Sequence, residues 1–200
     1  TITEIYDYLR VLYARVGKAY CPVCGTKVEK LSPEEINTFI IAKIKEVGKT
    51  ANKKVMDVAF NDTRIQIYAP VVRGRKGEYY QLLYDLLGKG FATVRVDGQI
   101  HQLRERIELK KNDKHTIEVL VDELAVHEFK DNPRDAELRL AEAVERALLE
   151  AEGLVQMVIG TSEDFEVQTQ PIQEFLLSSK FACPNDGYSF PEIEPRLFSF

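Results

Sequence analysis

A surplus of positive charge is missing from this chain: 27 Lys and Arg face 32 Asp and Glu, for a formal net charge of −5. A domain that grips DNA phosphates unaided carries a basic stripe, because its affinity comes from Lys and Arg replacing condensed counterions. The acidic balance therefore points toward protein partners or plain solubility. Also missing is any run approaching the roughly 20 apolar residues of a membrane span, as is a basic start followed by an apolar signal region. A cytoplasmic protein without membrane association is the expectation. Finally, no phosphate loop, nucleophile–base pair or H-E-x-x-H helix is present, so no active site, and hence no enzyme, is expected within these residues.

What is present is a globular composition. Of 200 residues 44% are hydrophobic and 30% charged, enough for one or two cores. Ile5, Leu9, Leu12 and Val16 follow helical spacing over residues 2–16, with Gly17 at the stop. Ser32-Pro33-Glu34-Glu35 reads as an N-cap with proline at the first helical position, opening a second helix to about Val47 through Ile36, Phe39, Ile40 and Ile44. Val55 to Val72 reads as two strands in a hairpin broken at Asn61-Asp62, with Pro70 restricting the second to an edge or an end. Arg73-Gly74-Arg75-Lys76-Gly77 reads as a basic loop, and Glu78 to Gly88 as a helix with Tyr80, Leu83, Tyr84 and Leu87 on one face. Thr93 to Asp97 is a strand turned by Asp97-Gly98 into Gln99–Leu103. Residues 115–126 are expected to form the longest strand, Asn132-Pro133-Arg134-Asp135 starts a helix to Leu149, and Leu154–Ile159 is a further strand. Hairpins outnumber plausible parallel crossovers, so the expected fold class is α+β, with a mainly antiparallel sheet and three to four helices.

Three cysteines carry the one metal-like pattern. Cys21-Pro22-Val23-Cys24-Gly25 has the form of a zinc knuckle, and Cys183-Pro184-Asn185-Asp186-Gly187 copies that turn with a carboxylate in the second ligand place. Cys21, Cys24, Cys183 and Asp186 would give zinc three thiolates and one oxygen. Two alternatives stay open: reduced cysteines in surface turns, and a redox C-x-x-C. His101, His115 and His127 read as ordinary histidines on strand-like segments. The chain opens on Thr1 without an initiator Met and closes in the apolar run Leu197-Phe198-Ser199-Phe200, which reads as a segment cut from a longer protein.

Thr3-Glu4-Ile5-Tyr6-Asp7-Tyr8-Leu9-Arg10, Ala14-Arg15-Val16-Gly17 and Glu192-Ile193-Glu194-Pro195-Arg196-Leu197-Phe198-Ser199-Phe200 closely resemble UvrA proteins, the damage-sensing ATPases of the ABC type. Between them, Ala69-Pro70-Val71-Val72, Arg75-Lys76-Gly77-Glu78, Val94-Arg95-Val96-Asp97 and Lys114-His115-Thr116-Ile117-Glu118-Val119 resemble family motifs in the same order, so the likeness runs through the whole chain. It implies a division into an N-terminal flank (1–31), an inserted UvrB-binding domain (32–175) and a C-terminal flank (176–200) that packs with the first at a structural zinc module. It also implies that ATP and DNA are bound by the full-length homodimeric protein, in nucleotide excision repair. Family members often read Cys-Pro-x-His then Cys-Pro-x-Cys at the two knuckles, so Cys24 and Asp186 both depart from that pattern. Two arginines that the family sets against acidic residues of UvrB align with Thr93 and Glu123, with Arg95 nearby; Glu123 reverses the charge. The expectation is a non-catalytic module that recruits UvrB. The rival is a nucleic-acid-binding module using Arg73, Arg75, Lys76 and the knuckles.

Overall fold

In the computed structural model, residues 2–50, 62–161, 164–165, 173–181 and 194–198 are described. The chain divides into two compact units, Thr1–Leu31 with Ser178–Phe200, and Ser32–Leu177. No helix among the described residues is long and apolar enough to cross a membrane.

The smaller unit opens with helix α1 (Ile2–Val16), followed by a two-stranded antiparallel ribbon, β1 (Ala19–Tyr20) and β2 (Lys27–Val28). The helical spacing read from the sequence is real, yet its apolar side is uncovered: Tyr8 is 79% and Val16 70% exposed. Tyr6 donates its hydroxyl to the Phe198 carbonyl at 3.4 Å, and Tyr13 stacks at a tilt on Phe198, so the other side of α1 holds the short 3-10 turn Pro195–Phe198. Cys21 and Val28 are buried with Ala19 and Phe181 packed against them.

The larger unit is an α+β layer, as the sequence indicated. Helix α2 (Pro33–Thr50) begins at a reciprocal capping box in which Glu35 N donates to Ser32 Oγ at 3.2 Å and Ser32 N to Glu35 Oε2 at 2.8 Å. Strand β3 (Thr63–Lys76), helix α3 (Tyr80–Gly88), strands β4 (Thr93–Val96), β5 (Gln99–Gln102) and β6 (Lys114–Ala125), helices α4 (Glu128–Asp131) and α5 (Pro133–Glu150), then β7 (Leu154–Thr161) and β8 (Gln173–Ser178) follow. The sheet order is β5-β4-β6-β3-β7-β8, and β3 pairs antiparallel with both β6 and β7, as β4 does with β5 and β6. Asp97 at φ 51° and Gly98 at φ 86° form the two-residue β4–β5 turn, the left-handed pair that Asp-Gly favours.

Several expectations change. β3, with 14 residues, is longer than β6 with 12. The basic tract Arg73–Lys76 belongs to β3 instead of a loop: Gly74, at φ 56°, absorbs an irregularity after Val72, and pairing resumes at Arg75 with His115. The first strand of the hairpin expected over Val55–Val72, ahead of the break at Asn61-Asp62, lies outside the described residues; along Arg64–Tyr68 both edges of β3 are taken by β6 and β7. Pro70 sits in the middle of β3 but beyond the last β7 pair, where its missing N–H breaks no ladder on that side. On α3 the buried pair is Leu83 and Leu86, while Tyr80 and Tyr84 are exposed. His101 and His115 lie on strands, but His127 sits at the first position before α4, without a side-chain capping bond.

One sheet face is apolar. Ile65, Ile67, Val94, Val96, Ile117, Val119 and Leu124 are buried there, and α5 contributes Ala136, Leu140, Ala143, Val144 and Ala147 at helical spacing. Ile36, Ile40 and Ile44 of α2 are buried, and Phe39 meets Phe175 of β8 edge-on at 5.4 Å.

Candidate docking face and cysteine knuckle

Period-two alternation sends the polar partners of those core residues to the opposite face. On β3 these are Arg64, Gln66 and Tyr68; on β4, Thr93 and Arg95; on β6, Glu118, Leu120 and Glu123. The phase survives on β6 through a bulge: Ile67 pairs with Asp122 but Tyr68 with Leu120, leaving Val121 as the extra residue. Asp122 therefore turns toward α5, where Arg139 Nε and Nη2 grip its two oxygens at 2.8 and 2.6 Å, and Glu123 stays on the polar face. Arg139 Nη2 also donates to the Glu123 carbonyl at 2.8 Å, bracing that residue from behind.

At the centre of the face, Arg95 donates through Nε to Glu118 and through Nη2 to Glu174, both at 2.6 Å, and its guanidinium lies 4.7 Å from the Tyr68 ring centre. Its side chain is 13% exposed. Burial works against its charge, but the hydrogen bond and charge of Glu118, then those of Glu174, outweigh it and raise the Arg95 pKa. The Tyr68 hydroxyl, raised chiefly by burial, donates to Gln66 Oε1 at 2.6 Å, and Gln66 Nε2 donates to Glu123 Oε2 at 2.6 Å. Gln156 reaches Glu174 through its amide.

Next to this network lies an open concavity lined by Arg64, Gln66, Tyr68, Thr93, Ile100, Leu120, Glu123 and Phe165. Thr93 and Glu123, from β4 and β6, thus share one depression, while Arg95 is drawn into the network beside it. Phe165 is positioned by a second capping box: Thr161 N donates to Asp164 Oδ2 at 2.9 Å and Asp164 N to Thr161 Oγ1 at 3.2 Å. The sequence pattern Thr161-Ser162-Glu163-Asp164 carries that signal in a variant form. Gln66, Tyr68, Glu118 and Glu174 had no such local signature.

In the smaller unit, the first knuckle closes as a tight turn. Cys21 N donates to the Thr26 carbonyl at 2.8 Å, Gly25 N to the Cys21 carbonyl at 2.9 Å, and Gly25 adopts φ 71°. Val23 N donates to Cys21 Sγ at 3.4 Å, and Cys24 Sγ to Thr26 Oγ1 at 3.3 Å. Cys21 is buried and Cys24 exposed. An amide aimed at sulfur and two thiols on one turn are the donor chemistry of half a tetrahedral zinc site. Cys183 and Asp186 lie outside the described residues, and among those described no group of three or more His, Cys, Asp or Glu stands ready to hold a metal ion.

Residues 49–160 match the family model described as the UvrA interaction domain. Over the whole chain, the sequence is 41% identical to UvrABC system protein A of Deinococcus radiodurans, covering 17% of that protein. It is 42% identical to the proteins of that name from Thermus thermophilus and Aquifex aeolicus, in each case over 100% of this chain and 18% of the relative. The chain thus spans 17–18% of the length of these relatives.

Proposed function

We propose, from the premise that this chain belongs to the UvrA family and carries its interaction domain, that the polar face of the six-stranded sheet docks UvrB, and that the chain serves nucleotide excision repair by recruiting it. The observation that carries this reading is the concavity holding Thr93 and Glu123, the two positions that the resemblance assigns to UvrB contact, on a sheet face opposite the one packed by helix α5. The braced network behind it, from Arg95 through Tyr68 to Gln66, presents a preorganised surface, which lowers the ordering cost of association. In this reading the chain is non-catalytic, and ATP and DNA are handled by the rest of the full-length protein. The uncovered side of α1, with Ile5, Tyr8, Leu12 and Val16, suits a helix that packs on the remainder of such a polypeptide. Cys21 and Cys24, with Cys183 and Asp186, would hold a structural zinc that ties the two flanks together.

The rival, a nucleic-acid-binding module, loses support because Arg73–Lys76 forms the end of a strand instead of a basic loop and because the chain is acidic. Titration separates the two: the docking reading expects a saturable complex with UvrB and negligible affinity for duplex DNA at physiological salt. Tight, salt-sensitive DNA binding with no UvrB complex contradicts it.

A further inference from the structure

We infer that the concavity beside Glu123 receives a lysine or arginine side chain from the docked protein; this deepens the docking reading above and rests on it. Charge is the first reason. The charged groups that act on the Tyr68 hydroxyl are one guanidinium, Arg95, against three carboxylates, Glu118, Glu123 and Glu174. Adding Arg64 from the rim, and Arg139 behind Glu123 together with the Asp122 carboxylate that holds it, still leaves four carboxylates against three guanidiniums.

The second reason is which carboxylates are already engaged. Arg95 bonds to both Glu118 and Glu174 at 2.6 Å, so their charge is balanced within the chain. Glu123 is exposed and is met by the neutral amide of Gln66. A carboxylate has about four acceptor positions, so this amide leaves room for a charged donor.

Shape supplies the third. Ile100, Leu120 and Phe165 form an apolar collar in the same depression, suited to the methylene stem of a lysine or arginine whose head ends on a carboxylate. An acidic or purely apolar side chain seated there would strip water from Glu123 without replacing it, which is unfavourable for a charged group.

The test is a titration of UvrB against the chain and two variants across a salt series, with thermal melts as the folding control. Glu123→Gln preserves an acceptor for Gln66 and is expected to weaken binding several-fold and flatten its salt dependence; Glu123→Lys is expected to weaken it tenfold or more. A lysine- or arginine-to-glutamate substitution in UvrB that restores binding to Glu123→Lys identifies the partner residue. If the unaltered chain binds UvrB but folded Glu123→Gln binds equally well with the same salt dependence, this inference is overturned and the docking reading stands. If the unaltered chain fails to bind UvrB at all, both fall.

Discussion

Arg95 and Glu118 face each other directly across β4 and β6, and their side chains meet at 2.6 Å with 13% and 7% exposure. Such a pair is costly to break from one side, because the surviving charge stays buried. Arg95→Ala is therefore expected to destabilise the larger unit by about 3 kcal/mol in urea unfolding. Glu174→Gln removes a carboxylate that is 40% exposed and should cost under about 1 kcal/mol. Equal losses for the two variants would contradict the assignment of Glu118 as the principal partner.

His115 ties the β4–β5 turn to the segment before β6. Its Nδ1 lies 2.7 Å from Asp97 Oδ2 and its Nε2 2.9 Å from the Lys110 carbonyl, so both ring nitrogens face acceptors and the protonated ring satisfies both. The Asp97 hydrogen bond, then the Lys110 carbonyl, raises its pKa above the ordinary 6.5. A raised folded-state value means that the stabilisation is fully present below pH 6.5 and is lost as pH climbs through the folded value. Thermal melts should show the chain losing stability over that rise, and His115→Gln should remove that component. An identical pH profile for the variant would refute it.

Helix α2 offers a simpler check. Ser32→Ala deletes the side-chain acceptor for Glu35 N and should cost about 1 kcal/mol in chemical denaturation, whereas Ser32→Asp should be nearly neutral.

Much of this architecture was readable locally. The Ser32 cap, the Asp97-Gly98 turn and the Asn132-Pro133 helix start each depend on residues within a few positions of one another, and each appears where the sequence placed it. β3 was harder, because Pro70 and Gly74 both normally end strands; only the end of β7 at the Tyr68 pair and the irregularity before Arg75 make them tolerable. The proposed docking face was legible only through family resemblance at Thr93 and Glu123. Gln66, Tyr68, Glu118 and Glu174 come from strands β3, β6 and β8, and no spacing within one strand announces a network closed across a sheet.

The cysteine knuckle leads to a metal prediction. The purified chain should carry about one zinc by elemental analysis, and Cys24→Ser should lower that occupancy without shifting the unfolding of the larger unit. Full occupancy after Cys24→Ser would remove this residue from the ligand set.

The claim on which the account depends is that UvrB sits on the polar face of the six-stranded sheet. Hydrogen–deuterium exchange of the chain with and without saturating UvrB tests it most directly. The expected result is added protection along β4, the Leu120–Glu123 part of β6 and the Asp164–Phe165 segment, with α5 little changed. Protection confined to α1 and the knuckle, or to α5, would place UvrB elsewhere and contradict it.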